Sequence, residues 1–381
     1  MLYLISLLSF LLPTQLGYHF NLPQTTVYGF RIDYLIPTLY LTDIVALLII
    51  IFSVGGVIAR RFNRRSNLKR DYFTCVRNDT KMVICYMLYI AFAATNILYS
   101  TYYIPAIFKW IKVTEMLLLG IVILNTKKFD VFKNFVKPLS YSIVIGCVLG
   151  IMQHFNKGSI GGLFYALGER AYLVGNPNIA PYPYSFFSHP NSFAGFLLVF
   201  GIFLLQYKKK FDQKYFWILV TLVTINLVLT NSLNVYTTVS LLLLLKLFKN
   251  NTANLLFIDF TQRFVTHRLE LITASWQMIK SNFWFGVGLN NFIPNLVKVS
   301  NTFVSSWELQ PVHNIFLLVF SELGVLGFIV FCLLVFTSLV PSAYPLIAIL
   351  ATGLSDHYWL TLQQNLLLFT YVVVISRKKI I

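Results

Sequence analysis

Charge is what this sequence has least of: Asp, Glu, Lys and Arg make up 11% of 381 residues, and only 13 residues are acidic. A soluble chain carries about 25% charged residues, so the shortage excludes an ordinary water-soluble globule. Strand-like alternation of apolar and polar residues is also missing, which argues against a β-barrel; spans in lipid must then be helices, because only helices pair every backbone group internally. Cysteine is scarce. Cys75, Cys85, Cys147 and Cys332 form no CxxC and three of them sit in apolar runs, which reads as packing rather than disulfide or metal chemistry. No HxxH, HExxH or carboxylate cluster occurs, so no metal and no cofactor are expected.

What is present is apolar. Hydrophobic residues are 57% of the chain and the mean hydropathy is +0.72. Runs long enough to span a bilayer fall near 1–17, 40–59, 82–100, 103–124, 138–155, 190–206, 215–231, 233–248, 313–336, 339–354 and 359–376. The first lacks a basic n-region and a small-residue cleavage site, and reads as a retained span. The expected fold is an all-α polytopic membrane protein of about 11–12 transmembrane helices. Residues 1–155 form an N-terminal bundle; 156–381 form a second region with a helical extracytoplasmic loop, 250–312, before the antepenultimate span.

The net charge of +17 would suit nucleic acid, but its distribution points to a bilayer. Eight basic residues lie in 60–81, four more are Lys127, Lys128, Lys133 and Lys137, and another four are Lys208, Lys209, Lys210 and Lys214. Lys246, Lys249, Arg377, Lys378 and Lys379 complete a set of 21 of the 30. They occupy alternate connections, as the positive-inside rule requires of cytoplasmic loops. Nine remain for the outer side: Arg31, Lys109, Lys112, Lys157, Arg170, Arg263, Arg268, Lys280 and Lys298. Topology does not need these, so they are the better ligand candidates. The parity does not close, because only the short run 255–260 is available to cross between the spans ending at 248 and starting at 313.

Residues 262–281 have helical periodicity, with Phe264, Arg268, Ile272, Ser275, Trp276 and Ile279 on one stripe. An arginine on a packed face is costly unless it meets an anion, which makes Arg268 a candidate; a snorkelling surface arginine is the alternative. Gly286 and Gly288 suit a turn more than an anion nest. Pro311-Val312-His313-Asn314 opens an apolar helix. His313 at its positive end favours the neutral imidazole a general base needs, and a simple capping role is the alternative. His189, in Ser188-His189-Pro190-Asn191, opens another span. His357, in Asp356-His357-Tyr358-Trp359 on the outer side near the interfacial aromatics, and His154, which ends a span, read as structural, and His19 and His267 carry no second feature. Glu322, with Gly324 and Gly327, reads as helix packing, and a functional carboxylate inside the membrane is the alternative for it.

In these segments the chain resembles the O-antigen ligase/polymerase family of membrane glycosyltransferases. The resemblance runs through Phe187-Ser188-His189-Pro190-Asn191, Arg268-Leu269-Glu270-Leu271, Trp276 and Gly286-Val287-Gly288-Leu289-Asn290. It continues through His313-Asn314, Glu322-Leu323-Gly324-Val325-Leu326-Gly327 and the tail 356–364. It covers roughly residues 160–376. It implies transfer of a glycan from a polyprenyl (undecaprenyl-type) diphosphate to a glycan or glycolipid acceptor hydroxyl, without a required metal, at the outer face of a bacterial cytoplasmic membrane. His313 would be the general base and Arg268 the diphosphate contact. Arg263, Arg170, His189, Asn191, Asn314 and Lys280 would bind substrate. Two positions depart from the family pattern: Ser232-Leu233 where a serine-arginine is common, and Tyr182-Pro183-Tyr184 where a second arginine often stands. A non-enzymatic glycan-lipid transporter or a degenerate relative is the alternative expectation, and ligase and polymerase both stay open.

Overall fold

A computed structural model describes residues 1–64, 72–171, 183–248, 262–300, 308–340 and 343–378, with side chains over 1–55, 84–171, 183–240, 267–300, 308–340 and 343–378. Helix α1 (Leu2–Leu11) leads into two short antiparallel pairs. β1 (Gly17–His19) pairs with β4 (Thr38–Tyr40), and β2 (Thr26–Val27) with β3 (Phe30–Arg31). Then follow α2 (Leu41–Arg64), α3 (Tyr72–Leu98), α4 (Tyr103–Asn125), a π turn over Phe132–Val136 and α5 (Lys137–Asn156). The second region holds α6 (Leu163–Ala166), α7 (Pro190–Gln206), α8 (Gln213–Leu229), α9 (Leu233–Phe248) and α10 (Gln262–Ser281). It ends with α11 (Phe292–Val299), α12 (Ile315–Phe336), α13 (Tyr344–Gly353), α14 (Tyr358–Thr361) and α15 (Gln363–Lys378). The architecture is all-α, as the composition requires.

Phe132–Asn156 and Ile315–Phe336 are each long and apolar enough to cross a membrane, and shorter apolar helices fall on six of the other expected spans. Large apolar side chains face outward along them, among them Ile51, Leu88, Ile111 and Val330. Exposed apolar surface on that scale is a lipid-facing surface, not a wet one. Inside, one continuous core joins α1, α2, α4, α5, α7, α8, α13 and α15. α4 packs on α15 and α5 on α8, so residues 1–155 and 156–381 share that core.

Three expected spans change shape. The first is a ten-residue helix, α1, not a run of 17; at 1.5 Å per residue it spans about 15 Å, half a hydrocarbon core. Gly17 then opens β1 instead of extending the helix. The span expected over 339–354 starts only at Tyr344, because Pro345 fits the first turn of a helix and no later position. The last span is split into α14 and α15 by the extended backbone of Leu362.

Helix α12 is broken where glycine packing had been expected. Gly324 has φ 64° and ψ −172°, a backbone that any Cβ disfavours. The 282–291 segment lies in the break. Val287 N–H donates to Ser321 O at 2.9 Å, Gly288 N–H to Glu322 O at 3.1 Å, and Val325 N–H to Phe283 O at 2.8 Å. Gly286 is needed for that close approach, since a Cβ there would stand 2.4 Å from the Glu322 backbone. The break is thus capped by protein backbone, the condition under which irregular chain is tolerated at membrane depth.

The helices also sort the polar groups by end. Lys378, at the end of α15, donates to Ile123 O and Thr126 O at the end of α4. Lys210, after α7, sits over the ring of Phe132, which opens the π turn before α5. Among the described residues, the basic connections 127–137 and 208–214 and the basic end of α15 therefore gather at one end of the bundle. The starts of α7 and α12 and the end of α13 lie at the other.

Candidate functional site

At that second end the described residues enclose a cavity of about 1430 Å³. Five of the nine basic residues assigned to the outer side reach its wall: Arg31, Lys109, Lys112, Arg170 and Arg268. His189, Asn191 and His313 line it too. The sequence-chosen base and guanidinium thus share one space, although 45 positions separate them in the chain.

Local structure explains how they meet. His189 is the N-cap of α7: its Nδ1 accepts the Asn191 N–H at 3.1 Å, ahead of Pro190 in the first turn. That bond requires an unprotonated Nδ1, and burial pushes the His189 pKa down in agreement. Ser192 Oγ donates to Asn365 Oδ1 at 2.9 Å, fixing the start of α7 against α15. Asn314 caps α12 by accepting the Phe316 and Leu317 N–H groups at 2.9 and 3.0 Å. Its Nδ2 donates to Leu354 O at 3.0 Å, which ties His313 to the turn between α13 and α14.

That turn holds Asp356 and His357, buried to 5% and 4% exposure. Asp356 Oδ1 accepts the His357 backbone N–H at 2.8 Å, and Oδ2 accepts Asn234 Nδ2 at 3.4 Å and Asn191 Nδ2 at 3.5 Å. His313 Nδ1 stands 3.6 Å from Oδ1. Burial acts to raise the Asp356 pKa, yet His313 first, then His357 and His189, outweigh it and hold the carboxyl well below the usual range. His357, with Nδ1 2.9 Å from Thr361 Oγ1, is pushed down to about 3 chiefly by burial, with the neighbouring His313 adding to it. Its ring lies 5.0 Å from that of His313 and edge-on to Tyr34 at 5.4 Å. The result is an anionic carboxylate beside a partly exposed imidazole, with two neutral imidazoles behind it.

The other expected residues are placed differently. The buried stripe of α10 runs through Leu271, Ala274, Ser275 and Met278, and Trp276 turns outward at 47% exposure. Arg268 sits one turn before Leu271, on the edge of that stripe, where it meets the cavity instead of the core. Lys280 is exposed and away from the cavity. Asn314 is occupied by capping. Arg170 lines the cavity but is ion-paired with Asp33. The side chain of Arg263, and the crossing expected near 250–261, lie outside the described residues.

Sequence reasoning missed Asp356, His357 and Asn234. The available signal was the Asp356-His357 pair directly after an apolar run, where charge is expensive and therefore informative. Asn234 stands two residues after Ser232, beside the position where the family arginine is absent. Among the described residues, His313, Asp356 and His357 also have ligand-type atoms within 4.8 Å of one another, a grouping the spacing in sequence does not announce.

Fold and site together define an all-α membrane protein with a cation- and imidazole-lined cavity at one end. Residues 189–332, less than half of the chain, match a family model described as O-antigen ligase, which supports membership of the O-antigen ligase family. The match includes His189, Asn191, Arg268 and His313, and points to a ligase or transferase activity. Neither a curated protein nor a solved structure matches the chain.

Proposed function

We propose that this protein moves a glycan from a polyprenyl diphosphate donor to an acceptor hydroxyl, as an O-antigen ligase or polymerase. The observation that carries the reading is the single cavity shared by Arg268 and His313. His313 accepts the proton of the acceptor O–H while its oxygen bonds to the anomeric carbon, a role worth about 10²–10⁴ in rate. The bond from that carbon to the diphosphate oxygen breaks, and its electron pair leaves with the polyprenyl diphosphate. Arg268 meets the developing charge, with a fork geometry suited to phosphate. Asp356, with Oδ1 3.6 Å from His313 Nδ1, stabilises the imidazolium formed when the ring takes the proton. His189 and Asn191 line the donor side. The basic connections at the opposite end set that end in the cytoplasm, so the cavity faces the extracytoplasmic side of a bacterial cytoplasmic membrane.

The break in α12 is the feature that favours a glycan-lipid transporter, since such folds use discontinuous helices at their binding sites. Here, however, its freed groups are capped by the 283–288 backbone and by Asn96 Nδ2, which donates to Glu322 O at 3.0 Å. They are not presented to a ligand. The test is glycan transfer from an undecaprenyl diphosphate donor by the purified protein, with His313→Ala and Arg268→Ala alongside. Loss in both variants, with folding intact, is expected; unchanged transfer in both would remove the assignment.

A further inference from the structure

We infer that His313, Asp356 and His357 form a binding site for one divalent transition-metal ion, and that occupation of this site stops His313 from acting as a base. The site itself follows from geometry and donor chemistry; only the second clause rests on the transferase reading.

The three residues offer two ring nitrogens and a carboxylate oxygen within 4.8 Å of one another. His313 Nδ1 is buried and has no hydrogen-bond partner. Its distance to Asp356 Oδ1, 3.6 Å, is long for a hydrogen bond. It is close to the edge of a tetrahedral shell, where metal bonds of about 2.0–2.2 Å put neighbouring ligand atoms about 3.3–3.6 Å apart. The widest spacing exceeds that edge by about an ångström, within reach of a small ring rotation. Thr361 holds His357 Nδ1 at 2.9 Å, which fixes that ring as an outer-sphere partner fixes a metal-bound histidine. The fourth position opens to the cavity, which His313 and Asp356 both line.

Imidazole with carboxylate selects Zn²⁺, Co²⁺ or Ni²⁺ and gives little to Mg²⁺ or Ca²⁺, which want an all-oxygen shell. Coordination through His313 Nδ1 leaves the ring proton on Nε2. The nitrogen that would take the acceptor's proton then has no lone pair. A trace metal is on this account an inhibitor of the protein, held by the very carboxylate that faces its base.

The experiment titrates the detergent-purified, chelator-stripped full chain with Co²⁺. It follows the visible d–d bands of four- or five-coordinate cobalt, then displacement by Zn²⁺. The expected result is one site per chain, insensitive to excess Mg²⁺. Binding should weaken about 10–100-fold or more in His357→Gln and Asp356→Asn and stay unchanged in His154→Gln, an imidazole outside the cluster. The wild-type spectrum needs no variant to fold. Cobalt that stays six-coordinate, or that binds wild type and His357→Gln equally, overturns the site. Tight binding that leaves glycan transfer unimpaired keeps the site and overturns the inhibition, whereas a failed transfer assay in metal-free wild type bears only on the transferase reading.

Discussion

Asp43, behind the wall residues Tyr40, Lys112 and Gln363, and Asp356, on the cavity wall itself, are both buried aspartates, yet they are held in opposite ways. Asp43 accepts the Tyr40 N–H at 2.7 Å and Gln363 Nε2 at 2.5 Å, and is ion-paired with Lys112. Its bonds are short and lock α2, α4 and α15 together. Asp356 has one short bond, to the His357 backbone, and three long approaches of 3.4–3.6 Å from Asn234, Asn191 and His313. The first arrangement is complete without a substrate. The second keeps its imidazole neighbour half committed, which is what a proton-transfer group needs. The same residue type thus serves architecture at one place and chemistry at the other, and the partners' geometry tells them apart.

The largest effect expected from this contrast is on stability. Asp43→Ala takes from Lys112 its close partner, with Glu115 standing at 4.0 Å, and leaves the Tyr40 N–H and Gln363 Nε2 without their acceptor; breaking a buried pair in this way costs about 3–5 kcal/mol, read as a large fall in melting temperature in detergent. His313→Ala should do the reverse, lowering transfer by about 10²–10⁴ while the melting temperature barely moves. If His313→Ala melts like Asp43→Ala, the two aspartate neighbourhoods are not distinct in kind. Arg268→Ala should cost about 10²–10³ in rate, with Arg268→Lys recovering part of it, because a point charge lacks the guanidinium fork.

Acid should separate the two regions more finely. The folded His357 pKa lies below its ordinary value, so unfolding takes up a proton; its contribution to stability is full above about pH 6.5 and is lost as pH falls towards about 3. Asp356, also lowered, contributes above its ordinary value near about 3.9 and loses that contribution below it. In metal-free buffer His357→Gln should therefore flatten the decline of melting temperature between about pH 6.5 and 4. Asp356→Asn should flatten it only below about pH 4. The smallest effect belongs to Lys280→Ala: exposed and off the cavity, it should change transfer by less than about twofold.

Part of this was legible in the sequence. Hydropathy gave the helical class, because lipid constrains it strongly, and basic-residue spacing singled out 127–137, 208–214 and the end of α15, which meet at one end of the bundle. Arg268, His189, Asn191 and His313 stood out because each breaks an apolar pattern at a helix start or on a helix face. The partners of His313 did not. Asp356 lies 43 residues beyond it and reaches it only because Asn314 ties α12 to the α13–α14 turn, a bond with no periodic signature. Trp276 was placed on the packed face because its spacing fits, whereas docking of α11 and α12 sets the buried stripe of α10 through Leu271 and Met278. The break at Gly324 was likewise hidden, since a glycine inside an apolar run reads the same whether it packs or breaks a helix.

The most direct measurement is photo-crosslinking with an undecaprenyl diphosphate oligosaccharide carrying a photoreactive group next to the diphosphate, mapped by mass spectrometry. Labelling is expected on the cavity wall around Asn191, Arg268 and His313, and should fall sharply in Arg268→Ala. Labelling confined to the outward faces of α2 and α3, undiminished by that substitution, would contradict a donor site in this cavity.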